Sequence, residues 1–343
     1  MATKALAIKY RPATWDDVTE QSSTKIILQQ QLESGEVKNA YLFCGPAGCG
    51  KTTCARIFAH DINNGQGNPI ELDAASNNGV DDVREIIQQA KTKSLDSEYK
   101  IFIIDECHAL SNSAWQAMLK IIEEPPAKSI FIFCTTDPQK IPKTILSRVQ
   151  RYDFQRISQK GIVDRLWLIL DTEEYNDIDK TVDTEPLEYI AKIADGGMRD
   201  AITLMDKCLA YSTDLTMENV VSALGTVDYE TMISLSADIL VKNTKAVMYI
   251  IEALYATGKD IKQFVKQYLQ FLLDIQKYGV GCDWKYLQVP RIEDYEDWFE
   301  DLKSADYDKL ESVLKAMIKL NADIKWSSTP KYDLEAVLYM ECK

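Results

Sequence analysis

The chain has 343 residues, is 46% apolar and 27% charged, and carries a formal net charge of −14 at pH 7. This composition is typical of folded globular domains, two or three at this length, and excludes a disordered protein. Apolar stretches of about six residues are too short to cross a bilayer, and the first residues lack a signal-peptide core. We therefore expect a cytoplasmic protein with no membrane partner.

The charge is unevenly distributed along the chain. Residues 1–160 contain 19 Lys+Arg and 19 Asp+Glu, whereas residues 161–343 contain 20 and 34. Because proteins that coat nucleic acid are basic, any DNA contact is expected in the neutral first half. The acidic second half is interpreted as a solvated or protein-binding surface.

Residues 7–18 precede the first long helical pattern. Within them, Tyr10, Arg11 and Pro12 join an aromatic ring, a cation and a rigid backbone angle, a combination suited to holding a flat nucleobase. A structural N-terminal strap would have the same composition, and the sequence leaves both interpretations open.

Residues 45–52 spell GPAGCGKT, the phosphate-binding loop pattern of a glycine, four residues and Gly-Lys-Thr. The loop follows an apolar run at 40–44 and precedes a helical pattern at 51–60, as its mechanism requires. Its glycines let backbone N–H groups converge on phosphate oxygens, while Lys51 reaches the β- and γ-phosphates and Thr52 holds a magnesium ion. The predicted ATP-binding residues are Gly45, Pro46, Ala47, Gly48, Cys49, Gly50, Lys51, Thr52 and Thr53.

Further apolar runs lie at 69–72, 101–104 and 130–133 and alternate with helical patterns at 80–92 and 113–124. Continuous apolar strands separated by helices indicate a parallel sheet that is covered on both faces, an α/β fold. Ligands of such sheets bind at the carboxyl ends of the strands, so functional residues are expected directly after each run.

Asp105 and Glu106 close the segment IFIIDE. An acid at the end of a buried strand faces the magnesium ion, a role that we assign to Asp105. Glu106 is then placed to polarise the attacking water as a general base. The following Cys107-His108 would fit a helicase-like pattern, but the sequence has no other helicase motif, and His108 is interpreted as a packing or hydrogen-bonding residue.

Two later segments add polar groups. Thr135 and Thr136 end the next strand, where a hydroxyl can bond the γ-phosphate or the water and report which nucleotide is bound. Arg148 lies at a helix end beyond the sheet, where an arginine can neutralise transition-state charge in a neighbouring subunit's site. From the residues alone, a surface ion pair is the favoured interpretation of Arg148.

Residues 159–222 are predicted to form a small helical unit, with patterns at 159–170 and 184–194. Two glycines then precede Arg199, in the first turn of another helix. A cation in a first turn opposes the helix dipole, and a reach toward the γ-phosphate would explain its presence.

Residues 223–343 carry amphipathic helical patterns and no recognisable chemistry. The predicted helices are 228–241, 244–256, 260–277, 304–324 and 331–341. In the third helix, apolar residues at helical spacing predict a core stripe of Tyr268, Phe271, Leu272 and Ile275.

The eight cysteines form no Cys-x-x-Cys pair, and the chain has only two histidines. We therefore expect reduced and mostly buried thiols and no zinc site. Cys44, Cys49 and Cys54 bracket the phosphate loop, so a redox switch on the nucleotide site is the less favoured alternative.

Several segments together resemble the AAA+ clamp-loader ATPases, closest to the gamma/tau subunit of bacterial DNA polymerase III and more distantly the small subunits of replication factor C. The resemblance covers about residues 7–210. It implies an AAA+ P-loop NTPase domain with a parallel five-stranded sheet at 1–158, a helical lid at 159–222 and an all-α collar or oligomerisation domain at 223–343. The segments that carry it are KYRPATWDDV, GPAGCGKTT, ELDAASNNGVDDVREI, IFIIDECHALS, AMLKIIEEPP, CTTDPQKIPKTILSR and GGMRDAITLMDK.

Position by position, the resemblance implies further roles. Residues 10–12 lie where the family packs the adenine, and either Thr135 or Thr136 corresponds to sensor 1. Arg148 corresponds to the arginine finger that acts in trans, and Arg199 corresponds to sensor 2.

The chain departs from the family pattern in two places. Residues 61–69 replace a four-cysteine zinc module and contain no cysteine, so no zinc is expected. Val149 stands where the family has cysteine after the finger arginine. From the resemblance we expect a gamma-type subunit without a tau-like extension, as a compact virus- or plasmid-encoded version acting in a bacterial cytoplasm would be.

These observations predict the motor subunit of a sliding-clamp loader, which uses ATP and Mg²⁺ to open the processivity clamp and place it on primer–template DNA. The expected partners are other clamp-loader subunits in an oligomer, expected to be a pentamer, together with the clamp and DNA bound without sequence preference. The alternatives are another AAA+ DNA-associated ATPase, of the branch-migration or initiator type, and a structural clamp-loader subunit that hydrolyses ATP weakly.

Two helix N-termini are the candidate DNA contacts, because they offer N–H groups and small polar side chains to phosphates. Ordinary helix capping would explain the same residues. They are Ser76, Asn77, Asn78 and Gly79 before the first helix and Ser111 and Asn112 before the second.

Overall fold

The structure, a computed structural model, describes residues 4–94, 96–173, 184–283, 286–287, 296–303 and 307–343. Contacts divide the chain into two units. The first comprises the described residues of 1–174 and 190–206, and the second comprises those of 175–189 and 207–343. The division into three domains stays a prediction. No helix in the described ranges is long and apolar enough to span a membrane.

The first unit is built on a five-stranded sheet with the strand order β2-β3-β4-β1-β5, in which every pairing is parallel. The predicted α/β fold is therefore confirmed, and the run at 40–44 is a strand over those residues. The sequence patterns missed the edge strand β5, because only Tyr152 of its four residues is buried. The strands are β1 (Ala40–Cys44), β2 (Ile70–Asp73), β3 (Lys100–Asp105), β4 (Ser129–Thr135) and β5 (Gln150–Asp153).

Helices cover both faces of this sheet. Leu42 and Phe131 belong to an apolar cluster with side chains of the helices at 80–90 and 112–123. Tyr41 and Ile103 belong to a second cluster with side chains of the helices at 22–34 and 51–62. Alternate residues of one strand thus enter different clusters, which explains why the strands are apolar throughout. The helices up to this point are α1 (Leu6–Lys9), α2 (Ser22–Ser34), α3 (Lys51–Ile62), α4 (Val80–Ala90), α5 (Asn112–Glu123), α6 (Lys143–Leu146) and α7 (Gln159–Thr172).

The connection at residues 63–69, between α3 and β2, is short and begins at a buried asparagine. The Asn63 side chain donates to the Tyr99 carbonyl at 2.9 Å and accepts from the Tyr99 N–H at 2.8 Å. This two-bond contact joins the end of α3 to the residue before β3. The expected absence of zinc stays a prediction.

A separate apolar core in the second unit is formed by side chains from residues 227–342, most of them in the helices between Tyr229 and Glu341. The predicted stripe is confirmed, since Tyr268, Phe271, Leu272 and Ile275 are each at most 1% exposed. The Tyr268 hydroxyl hydrogen-bonds Ser236 Oγ at 3.0 Å, so its polar atom is satisfied inside the core. Residues 304–306 of the predicted 304–324 helix lie outside the described ranges. The remaining helices in the described part of the chain are α8 (Thr184–Ala194), α9 (Met198–Tyr211), α10 (Met217–Leu224), α11 (Tyr229–Leu240), α12 (Thr244–Ala256), α13 (Ile261–Gly279), α14 (Glu296–Lys303), α15 (Tyr307–Asp323) and α16 (Pro330–Glu341).

Candidate active site

A cavity of about 280 Å³ lies in the first unit beside the phosphate-binding loop. Its volume is close to the lower end of the roughly 300–1,000 Å³ that is usual for small-molecule sites. The cavity brings together the predicted residues Tyr10, Arg11, Pro12, Ala47, Gly48, Cys49, Gly50, Lys51, Thr52, Thr53, Asp105, Glu106 and Arg199. Its lining does not include Gly45, Pro46, Thr135, Thr136, Arg148 or the six candidate DNA contacts.

The glycines of the loop have distinct structural roles. Gly50 is the N-cap of α3 at φ 102°, in the left-handed region that favours glycine. Gly48, at φ +71°, lies so close to a neighbouring turn that a Cβ would be 3.0 Å from Gly197 Cα. The Gly48 carbonyl accepts a hydrogen bond from the Met198 N–H at 3.0 Å. The phosphate loop and the turn before Arg199 are therefore in direct backbone contact.

Lys51 is 6% exposed, and its ammonium group is held over the loop itself. Its Nζ donates to the Gly45 carbonyl at 2.8 Å and to the Pro46 carbonyl at 2.7 Å. A buried ammonium needs such acceptors. Phosphate oxygens bound in the loop would offer acceptors with negative charge to the same group.

Thr52 and Asp105 form the candidate magnesium site. Thr52 Oγ1 donates to Asp105 Oδ2 at 2.8 Å, and Asp105 Oδ1 accepts from the Glu106 N–H at 3.0 Å. Hard oxygen ligands of this kind fit Mg²⁺, which keeps several waters and uses one or two carboxylates together with substrate phosphates. Within the described ranges no group of three or more His, Cys, Asp or Glu residues is arranged to hold a metal ion.

Glu106 is held through one carboxylate oxygen. Its Oε2 accepts from Thr136 Oγ1 at 2.9 Å and from the Thr136 N–H at 3.3 Å. His108 Nδ1 lies 3.2 Å from the same oxygen. The Glu106 backbone has φ 46°, a left-handed conformation that is uncommon for a non-glycine residue and typical of functional sites.

The two threonines at the end of β4 point to different environments. Thr135 is fully buried, and its Oγ1 accepts from the Asp137 N–H at 3.0 Å and lies 3.2 Å from His108 Nδ1. Thr136 is the threonine that reaches Glu106. The sequence could not distinguish the two, because both occupy the same strand end.

The N-terminal residues form one wall of the cavity and are also anchored. Trp15 Nε1 donates to Asp61 Oδ2 at 2.7 Å, and Lys25 Nζ donates to the Val18 carbonyl at 2.9 Å. The segment is therefore anchored as a strap and also lines the cavity through residues 10–12, and its contact with a nucleobase stays a prediction.

Sequence reasoning missed part of the lining. Arg165 reaches from α7 to donate to the Tyr10 carbonyl at 3.1 Å, a contact between residues 155 positions apart that leaves no local signal. The missed lining residues are Ala7, Val18, Thr19, Ile157, Arg165, Met198, Asp200 and Ile202.

Arg199 is exposed and lines the cavity from the first turn of α9. Its side chain makes no hydrogen bond or ion pair with any residue that the structure describes. The turn before it has two successive positive φ angles, 48° at Asp195 and 83° at Gly196. Arg156 contacts Asp195 and thereby holds this turn. The Arg199 guanidinium is thus available to an anion in the cavity.

Arg148 lies outside the cavity, in a surface ion pair as its residue type suggested. Its Nη2 lies 2.7 Å from Glu123 Oε1, and its Nη1 donates to the Thr144 carbonyl at 2.7 Å. The Arg148 side chain is 37% exposed. A role in a neighbouring subunit's site stays a proposal.

Helix capping, the alternative explanation of the candidate DNA contacts, is present at both helix starts. Asp82 Oδ2 accepts from the Gly79 N–H at 3.0 Å, and Asp81 also lies in the first turn of α4. Ser111 Oγ accepts from the Ala114 N–H at 3.2 Å, and the first turn of α5 contains no acid. The two helix starts therefore differ in charge.

The three cysteines around the loop are buried thiols. Burial raises the pKa of Cys44 to about 11 and that of Cys54 to about 12, and it also raises the pKa of Cys49. Because the thiolate is the reactive form, these groups are inert near neutral pH. This favours the buried-thiol interpretation over a redox switch.

Comparisons with known proteins show which families this chain is similar to. Residues 68–158 match the family model described as DNA polymerase III, delta subunit, and residues 161–214 match that of the DNA polymerase III clamp loader subunit, ATPase lid domain. The chain is 34% identical over 367 residues to the DNA polymerase III subunit tau of Bacillus subtilis, and 33% identical over 296 residues to that of Escherichia coli. The alignments cover 100% and 79% of this chain.

The chain spans 64% of the Bacillus protein and 45% of the Escherichia protein. It is also 30% identical to the protein STICHEL of Arabidopsis thaliana, across 95% of this chain and 28% of that protein. Among solved structures, the Holliday junction branch migration motor RuvB of Thermotoga maritima superposes with a TM-score of 0.52 at 20% identity, over 72% of this chain and 85% of that one. That likeness concerns the fold alone, and together with the match to the ATPase lid domain it confirms the predicted fold class.

The contact between Gly48 and Gly197 generates a stability prediction. Gly48→Ala should destabilise the protein by at least about 1 kcal/mol more than Gly35→Ala. Each alanine would adopt left-handed backbone, at φ +71° or +70°, at a cost of roughly 1–2 kcal/mol. Only the Cβ at 48 meets another backbone, because nothing lies within 4 Å of one at Gly35. Urea unfolding of the nucleotide-free variants measures the difference, and equal losses would contradict the contact.

Proposed function

This chain is related along most of its length to the gamma/tau subunits of DNA polymerase III, and from that premise we propose that it is an ATP-hydrolysing motor subunit of a sliding-clamp loader. One observation carries the proposal. The cavity gathers a phosphate loop, a hydroxyl–carboxylate pair suited to magnesium and a second carboxylate at the carboxyl edge of one sheet, together with an arginine from α9. That is the set of groups that phosphoryl transfer needs.

In the proposed reaction, residues of the loop hold the triphosphate. Lys51 exchanges its two carbonyl acceptors for phosphate oxygens, and Arg199 reaches the γ-phosphate from the α9 side of the cavity. Thr52 and Asp105 hold the magnesium ion, which neutralises charge on the phosphates when it is bound. Residues 10–12 pack against the adenine at the other end of the cavity.

Glu106 acts as the general base for the attacking water. Its carboxylate lines the cavity and is separated from Asp105 by one peptide bond, so base and metal-side acid share one edge of the sheet. Thr136 fills the sensor 1 role, because its hydroxyl and N–H contact the base and thereby couple the end of β4 to it.

In an assembly, a neighbouring subunit can supply an arginine finger to each ATP site. Arg148 lies outside its own cavity, so it can complete the site of a neighbouring subunit in trans, where such arginines are worth roughly 10³–10⁵ in rate. We propose an oligomer with other clamp-loader subunits, a pentamer as in the family that the sequence resembles. ATP bound between subunits would set the geometry that opens the clamp, and hydrolysis would release clamp and DNA.

DNA would be bound through phosphates and without sequence preference. The charges favour Ser111 and Asn112 over residues 76–79 as the main contact, because Asp81 and Asp82 already occupy the start of α4. A backbone hydrogen bond of 3.1 Å from the Ser111 N–H to the Asn78 carbonyl joins the two segments. The 76–79 segment would then support the contact.

Glu106→Gln and Lys51→Ala separate ATP binding from hydrolysis. Loss of a general base should slow hydrolysis by roughly 10²-fold or more while Glu106→Gln still binds ATP. Lys51→Ala should lose ATP binding, and both variants should fail to load a clamp onto primed DNA. Single-turnover hydrolysis, fluorescent-nucleotide binding and clamp loading measure the three steps. Hydrolysis retained in Glu106→Gln refutes the catalytic assignment, and normal loading by Lys51→Ala refutes the motor role.

A mixing experiment tests the role of Arg148 in trans. Arg148→Ala alone and Glu106→Gln alone should each be nearly inactive, yet mixed assemblies should regain activity because an Arg148 from one variant completes the intact Glu106 site of the other. Arg151→Ala is the matched control, since this exposed arginine is paired with Asp153 near the same segment. If mixing restores nothing while Arg148→Ala loses ATP affinity, Arg148 acts in its own site.

Charge substitutions distinguish the two helix starts as DNA contacts. Asn112→Glu should weaken binding of primer–template DNA roughly three- to fivefold, the loss of about one phosphate contact, and less at higher salt. Asn77→Glu should have a smaller effect because that segment is already acidic. Both asparagines are exposed, so folding is preserved. Fluorescence anisotropy at two salt concentrations measures the effect, and a larger loss at Asn77 would reverse the assignment.

A further inference from the structure

The ring of His108 contacts Glu106, the proposed general base, although the proposed reaction assigns His108 no role. It lies in the 3-10 turn Cys107–Ala109, which follows Asp105 at the end of β3 and Glu106, and its side chain is 21% exposed. Its Nδ1 lies 3.2 Å from Thr135 Oγ1 and 3.2 Å from Glu106 Oε2. The ring therefore stands between a buried hydroxyl and the proposed base.

The contacts determine which ring nitrogen carries hydrogen. A bare nitrogen lone pair 3.2 Å from a carboxylate oxygen would be repelled, so Nδ1 must bear a hydrogen. Thr135 Oγ1 accepts the Asp137 N–H and retains a second lone pair for this Nδ1–H. Because Thr135 is fully buried, it fixes the direction of the ring. Glu106 Oε2, also 3.2 Å from Nδ1, makes an electrostatic contact beside that hydrogen bond.

These contacts leave the two oxygens of Glu106 in different situations. Oε2 accepts two hydrogen bonds from Thr136 and faces His108. Oε1 accepts no hydrogen bond from any residue of the described ranges, and the carboxylate lines the nucleotide cavity. One oxygen is anchored and the other remains available to a ligand or water.

We propose that His108 is a positioning residue that, together with Thr136, fixes Glu106 Oε2 so that Oε1 is the atom that takes the proton from the attacking water. The inference rests on the proposed ATPase function. As the proton moves to Oε1, the water oxygen bonds the γ-phosphorus, the bond from phosphorus to the β–γ bridging oxygen breaks, and ADP leaves with that electron pair. The proton on Oε1 is then released to solvent.

Thr136 alone is a weaker constraint, because both of its donors approach the carboxylate from one residue. Without the His108 contact the carboxylate can rotate about its terminal torsion, which is soft for glutamate. Since a displacement of about 1 Å can cost 10²-fold in rate, partial loss of orientation should lower turnover and leave ATP binding unchanged.

Three substitutions at His108 test whether an N–H at the position of Nδ1 is what orients Glu106. Asparagine places an N–H where Nδ1 lies, whereas glutamine places one nearer Nε2 and leucine places none. His108→Leu and His108→Gln should lower single-turnover hydrolysis roughly tenfold, with the Kd for a fluorescent ATP analogue changed less than about twofold, while His108→Asn should stay near the wild-type rate. His60, the other histidine and 61% exposed, gives the control His60→Leu, which should hydrolyse normally.

A double-mutant cycle shows whether His108 acts through Glu106. In a Glu106→Gln background, adding His108→Leu should change the residual rate little. The inference is overturned if His108→Leu keeps the wild-type rate, loses rate and ATP affinity together, or lowers the residual rate of Glu106→Gln by the same factor as in the wild type. Failure of the proposed function looks different: the wild-type assembly would then not hydrolyse ATP, or Glu106→Gln would hydrolyse it normally.

Discussion

Burial of the central strands on both faces is the constraint on which the rest of the site depends. All residues of β1 and β4 and the middle four of β3 are buried, so polar groups can appear only where the chain leaves the sheet. The strand order places β4 between β1 and β3. Thr136 therefore lies between the phosphate loop and the two acids, and its contact with Glu106 follows from the topology.

A second constraint is the close backbone contact between the phosphate loop and the turn before Arg199, which needs a glycine on each side. Because neither Gly48 nor Gly197 has a side chain, the phosphate loop approaches the turn before Arg199 closely enough for a backbone hydrogen bond. A rearrangement of the loop around phosphate would thus reach that turn directly. The same contact explains how an arginine at the start of α9 comes to line the cavity beside the phosphate loop.

How much could be predicted depended on whether a residue's environment is set locally. The phosphate loop, the run at 40–44 and the stripe that includes Tyr268 were predicted because spacing and burial repeat along the chain. The strand β5 was missed because an edge strand with one buried residue lacks an apolar run. Arg165 could not be found because its partner Tyr10 is far away in sequence, and the choice between the two threonines needed side-chain directions.

Several polar groups of the proposed site already have hydrogen-bond or ion-pair partners within the chain. Nucleotide binding and subunit assembly must therefore replace these partners with new ones. Lys51 is bonded to loop carbonyls and Thr52 to Asp105, so binding exchanges hydrogen bonds and the net gain per bond is modest. The same reasoning applies to Arg148, which must leave Glu123 to act in trans. A surface ion pair is worth about 0–1 kcal/mol, whereas the rate effect of an arginine finger corresponds to about 4–7 kcal/mol. The ion pair can therefore hold the arginine in a defined place before assembly without opposing its proposed transfer to a neighbour's site.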